Sequence, residues 1–110
     1  MIMDLEDAVS PAEKVQAREN IRSVLSNGAY AHRLIAVRIN ALDTEWGEGD
    51  LEMALSIAAD AIVLPKVESA AAIQSVAGQI SKNSKIWAMI ETPLGVLNVR
   101  EIAKAHAQLD

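Results

Sequence analysis

Residues 34–40, L-I-A-V-R-I-N, decide the fold. The run is almost wholly apolar, with neither the alternation of a half-wet strand nor the length of a helix. Such a run suits a strand covered on both faces, as in a parallel sheet. Three more stretches have the same character: I-M-D-L-E-D at 2–7, A-I-V-L-P-K at 61–66 and I-W-A-M-I-E-T at 86–92. Strands alternating with helical spacing predict an α/β domain with a parallel sheet. Right-handed crossovers would set successive strands side by side with the helices outside. The reading is therefore one domain of four consecutive βα units over 1–110, too few to close a (β/α)₈ barrel, which needs about 250 residues.

The helices follow from spacing and caps. Ser10-Pro11-Ala12-Glu13 has the composition of a helix start, with Ser10 as cap, Pro11 in the first turn and Glu13 reaching back. That helix is predicted to run to about Leu25, burying Val15, Ile21, Val24 and Leu25, and to stop at Asn27-Gly28. A strand is predicted over 33–39, and the polar segment from Asn40 to Asp50 as a loop. Leu51, Ala54, Leu55 and Ala58 mark a second helix. A strand at 61–65 precedes a helix from Ser69 that buries Ile73, Val76, Ala77 and Ile80. A strand at 85–91 precedes a turn, Thr92 to Gly95, and a helix carrying Val99, Ile102, Ala103 and His106.

Composition narrows the function classes. The net charge of -5 argues against nucleic acid, because phosphate binding needs clustered Lys and Arg. No stretch reaches the roughly 18 apolar residues of a membrane span, and the N-terminus lacks a basic region ahead of an apolar one, so a cytoplasmic protein is the expectation. With no cysteine, a metal would be held by oxygen or by His32 and His106, whose positions lack ligand spacing.

Each apolar run ends in ionisable residues: Asp4, Glu6 and Asp7; Arg38; Lys66; Glu91. The carboxyl ends of parallel strands form the functional rim of such folds. Charge is costly there unless paired or liganded. Strand parity places Arg38 and Asn40 on the face of Leu34 and Ala36, and Glu91 on the face of Trp87 and Met89. Arg38 offers a planar fork for a carboxylate, and Glu91 a hard oxygen for Mg²⁺. The alternatives on residue grounds are a structural ion pair for Arg38 and Glu91 and helix-start electrostatics for Glu6 and Asp7. Lys66 reads as a solvated rim charge. The Trp46 loop reads as a lid or as packed surface.

The strings D-L-E-D-A-V-S-P-A-E-K at 4–14, V-R-I-N at 37–40, V-L-P-K-V-E-S-A at 63–70 and I-E-T-P-L-G at 90–95 occur in that order. Together they resemble the HpcH/HpaI aldolase and citrate lyase β-subunit family, which includes malyl-CoA and β-methylmalyl-CoA lyases. The resemblance implies the second to fifth βα units of a (β/α)₈ barrel. It implies a Mg²⁺-dependent carbon–carbon lyase that cleaves a citryl- or malyl-type thioester to an oxo acid and an acyl thioester. On that resemblance Arg38 matches the arginine that grips the oxo-acid carboxylate, and Glu91 one of two Mg²⁺ carboxylates. Glu6 and Asp7 match an acidic pair lining the pocket, and Thr92 and Pro93 open the loop beside the metal. The implied partners are an oxo acid and a CoA or acyl-carrier thioester, in a homo-oligomer or hetero-complex. The second metal aspartate belongs to a strand beyond Asp110. The alternative is a non-catalytic half-barrel that self-associates or complements a partner chain.

Overall fold

The computed structural model describes residues 2–26, 34–80 and 84–109. β1 (Ile2–Asp4), β2 (Ala36–Arg38), β3 (Ala61–Leu64) and β4 (Lys85–Ala88) form one sheet in the order β1-β2-β3-β4. Every pair is parallel, so each strand lies beside its sequence neighbour, as right-handed βα units require. Beyond β4, the Ile86 N–H donates to Gln108 O at 2.8 Å, and Ile86 bridges Leu109 in parallel. The predicted arc of four βα units is what forms.

The register sorts the side chains. Val37, Ile62 and Ile86 lie in one row, wholly buried, on the helix-covered face. They join Leu5, Ile39, Leu51, Met53, Ala54, Ile73, Val76 and Ile102 in the main core. Burying each large aliphatic side chain contributes about 1.5–3 kcal/mol. The opposite face carries Ala36, Ala61 and Val63 with Met89 against them. There Leu34 remains 75% exposed and Trp87 37%.

The helices are α1 (Lys14–Ser26), α2 (Gly47–Ser56), α3 (Ala70–Ala77), α4 (Pro93–Leu97) and α5 (Val99–Ala103). Ser69 caps α3 by accepting from the Ala72 N–H. Ile73, Val76 and Ala77 are buried and Ile80 packs partly against the core. α2 ends in a Schellman pattern: the Ala58 N–H donates to Leu55 O and the Ala59 N–H to Ala54 O, with Ala58 at φ 53°. Ala58 therefore terminates the helix rather than extending its stripe.

Several expectations are corrected. Ser10 makes no side-chain cap bond, so the capping box does not form. Residues Pro11–Glu13 are instead a 3₁₀ turn closed by the Glu13 N–H on Ser10 O. Val15 and Val24 are exposed, because α1 turns Lys14, Ala17, Arg18 and Ile21 inward. The two cations on that stripe reach acceptors: Lys14 Nζ donates to Leu5 O and Glu6 O, and Arg18 Nε to Asp50. The Leu25 side chain, Asn27-Gly28, His32 and Arg33 lie outside the described residues. The 40–50 loop yields a helix from Gly47, where a side chain would stand 2.3 Å from Ala41 O. The expected turn at 92–95 is the start of α4, capped by Thr92 Oγ1 accepting from the Gly95 N–H. His106 lies past α5 and is exposed, as are Val99 and Ala103, leaving Ile102 as the buried residue of that helix. β2 and β4 end at Arg38 and Ala88, shorter than predicted. No described helix is long and apolar enough to cross a membrane.

Candidate active site

The charged residues gather at the carboxyl ends of the four strands, and the register explains how. Asp4 and Arg38 end their strands in the same row, so a carboxylate and a guanidinium become lateral neighbours. Arg38 Nε donates to Asp4 Oδ1 at 2.7 Å, and Nη2 donates to Asp4 Oδ2. This two-point pairing occupies one edge of the guanidinium. Its Nη1 lies 3.5 Å from Glu6 Oε1 and 3.7 Å from Met89 Sδ. The hydrogen bond from Arg38 holds the Asp4 carboxyl below its ordinary value of 3.8, assisted by the Glu6 and Ala8 N–H groups. The Asp4 carboxylate in turn raises the Arg38 pKa.

Glu6 and Asp7 follow β1 on a tightly held loop. The Leu5 and Glu6 carbonyls both accept from Lys14 Nζ, and Leu5 O also accepts from Asn40 Nδ2. Asn40, past the end of β2, donates its side-chain amide to Leu5 O and to Asp50. Asp50 is fully buried and also receives the Asn40 N–H and Arg18 Nε. Trp46 packs down: Lys14 Nζ sits 5.2 Å from its ring centre.

Lys66 is exposed, as expected of a rim charge, and it is also paired. Its Nζ is 2.6 Å from Glu6 Oε2 and 3.8 Å from Asp7 Oδ1, and the Glu6 hydrogen bond raises its pKa. Its main-chain N–H donates to Glu91 Oε1 at 2.8 Å. Glu6 is buried, whereas Asp7 and Glu91 are exposed. Thr92 Oγ1 donates to Glu68 Oε2 at 2.9 Å, and Pro93 starts α4. Gly95 tucks under this loop, where a Cβ would meet Val67 O at 2.4 Å.

Arg38, Glu6, Asp7, Lys66 and Glu91 thus form one continuous rim, with Thr92 and Pro93 beside Glu91. Among the described residues no three acidic or histidine side chains converge as a closed metal cage. Mg²⁺, however, takes one or two carboxylates and fills its shell with water and substrate oxygens. Glu91 is exposed and has one oxygen engaged by Lys66, which fits a single-carboxylate contribution. Sequence reasoning missed Asp4 as partner of Arg38, although both close apolar runs of adjacent strands. It also missed Lys14 and Asp50, which hold the Leu5–Glu6 segment.

The chain also matches known proteins in sequence and in fold. The family model for HpcH/HpaI aldolase/citrate lyase matches residues 1–110. A (3S)-malyl-CoA thioesterase of Cereibacter sphaeroides is 47% identical over 109 residues, covering 99% of this chain and 38% of the relative. The citrate lyase subunit beta of Escherichia coli is 35% identical over 119 residues, covering 99% and 39%. The chain therefore spans about two fifths of the length of these relatives. Among solved structures, RipC of Yersinia pestis superposes with a TM-score of 0.81 at 37% identity, covering 98% of this chain and 47% of that one. CitE of Mycobacterium tuberculosis, in complex with magnesium, acetoacetate and coenzyme A, gives 0.76 at 33% identity, covering 96% and 36%.

Proposed function

This chain belongs to the HpcH/HpaI aldolase/citrate lyase family, and on that premise we propose that its rim serves carbon–carbon cleavage of a citryl- or malyl-type thioester. The products are an oxo acid and an acyl thioester. The observation that carries the reading is the convergence of Arg38, Glu6, Lys66 and Glu91 at one end of the sheet. The higher identity to the malyl-CoA thioesterase favours a malyl-type substrate.

Asp4 occupies the Nε–Nη2 edge of Arg38, so the oxo-acid carboxylate meets the guanidinium from its Nη1 side. Asp4 keeps that group oriented and charged. Glu6, Asp7 and Lys66 line the approach, and the Thr92-Pro93 loop borders the far side. Glu91 is the residue here that would hold Mg²⁺, which when bound supplies Lewis-acid polarisation and a template for the substrate oxygens. The exposed Leu34 and Trp87 favour a further layer over that face of the sheet.

Calorimetric titration with oxaloacetate, glyoxylate and pyruvate, with and without Mg²⁺, tests this. Mg²⁺-dependent binding is expected, with a loss of tenfold or more in both Arg38→Ala and Glu91→Gln. Absence of binding by the folded protein would remove the enzymatic reading and leave a half-barrel that associates. Sedimentation of the same samples reports the oligomer.

A further inference from the structure

We propose that Lys66 is a positioning residue that sets two acids of the rim with two different parts of itself. Its left-handed main chain aims its N–H at Glu91, while its ammonium fixes the buried Glu6 beside Arg38. The inference deepens the functional reading above, in which Glu91 and Arg38 meet the substrate.

The backbone part begins with a break in the β3–β4 ladder. The Met89 N–H donates to Leu64 O at 2.9 Å, and the next ladder bond comes from the Val67 N–H to Met89 O at 3.0 Å. Pro65 and Lys66 are therefore looped out between two bonds that converge on Met89, as in a bulge. Pro65 has no N–H to place. Lys66 has one, and with φ at 50° it turns that donor away from the ladder to Glu91 Oε1. A non-glycine residue in this region is uncommon and persists only where its surroundings hold it.

The side-chain part concerns a buried carboxylate. Glu6 Oε1 is buried and takes no hydrogen bond among the described residues, standing 3.5 Å from Arg38 Nη1. Lys66 Nζ supplies the hydrogen bond to Glu6 Oε2 at 2.6 Å. A buried acid needs such partners to stay charged and in place. One residue on the loop after β3 thus ties the loop after β1 to the loop after β4.

The two parts separate by substitution. Lys66→Gly keeps the left-handed backbone and removes the ammonium. Lys66→Val removes the ammonium and disfavours the backbone, and Lys66→Arg restores a cation. Two readouts on the whole chain need no ligand: amide hydrogen exchange at position 66 and the Glu6 side-chain carboxyl ¹³C shift. Protection at position 66 is expected in wild type and Lys66→Gly, and is expected to fall at least tenfold in Lys66→Val and in Glu91→Ala. The Glu6 shift is expected to move in Lys66→Gly and to return towards wild type in Lys66→Arg. Mg²⁺ affinity by calorimetry is expected to be about tenfold weaker in Lys66→Val than in Lys66→Gly.

An unprotected wild-type amide, or one indifferent to Glu91→Ala, overturns the backbone role. An unmoved Glu6 shift in Lys66→Gly overturns the side-chain role. If Lys66→Val does not fold, wild type against Lys66→Gly and Glu91→Ala still decides both. If wild type binds neither Mg²⁺ nor oxo acid while the exchange and shift results hold, the functional reading fails and the positioning role stands.

Discussion

β3 is flanked by two residues with left-handed backbone, Ala58 ahead of its first residue and Lys66 after its last. At the entry, Ala58 closes α2, and its N–H and that of Ala59 satisfy helix carbonyls. Both of these bonds are main chain to main chain, and the result is a clean helix stop. At the exit, the same backbone region frees a donor from the ladder and delivers it to a side chain on another loop. One conformation therefore serves chain reversal at one end of the sheet and site construction at the other. Glycine would relieve the strain at either end, but at the rim it would also remove the Lys66 ammonium from Glu6.

The hardest way to break this contrast is to remove what both ends share. Ile62 sits in the middle of β3 and is fully buried in the main core. Ile62→Ala is expected to cost about 2–5 kcal/mol by urea unfolding, since transfer and cavity terms add. A smaller effect sharpens the rim. Asp4→Asn should cost about 1.5–3 kcal/mol near neutral pH, the range for a hydrogen bond to a charged group. Because the folded-state pKa of Asp4 lies below 3.8, its contribution is present above that pH and is lost as pH falls through the lower folded value. Urea midpoints measured from pH 6 downward should therefore fall less steeply at the acid end in the variant. The smallest effect addresses the entry. Ala58→Gly is expected to gain about 0.5–1 kcal/mol, relief of the left-handed alanine being partly offset by glycine's freedom when unfolded.

Much of the architecture was legible because four apolar runs separated by helical spacing admit few arrangements. The rim was legible for the same reason: Arg38, Lys66 and Glu91 stand at the ends of runs that are otherwise apolar. What escaped were polar groups whose partners are remote in sequence. Hydrophobic spacing assigned Val15 and Val24 to the inner face of α1, yet Lys14 and Arg18 take it, because Leu5 O, Glu6 O and Asp50 wait there. Asp50 read as the end of a polar loop, and its burial depends on receiving donors from both Asn40 and Arg18. The Thr92-to-Gly95 segment read as a turn because Pro and Gly punctuate chains. A threonine cap and a proline in the first turn equally open a helix, and here they do.

The bridge between Ile86 and Leu109 has a bearing on self-recognition. Gln108 places its carbonyl on the Ile86 N–H and its side-chain amide on Ser84 O at 3.0 Å, clipping itself along the start of β4. An exposed strand edge is a template for any passing chain, and stacks of like strands grow from such edges. Here an intruding strand must first displace two hydrogen bonds. The border of β4 is thereby occupied at its first residues by the chain's own Gln108 and Leu109.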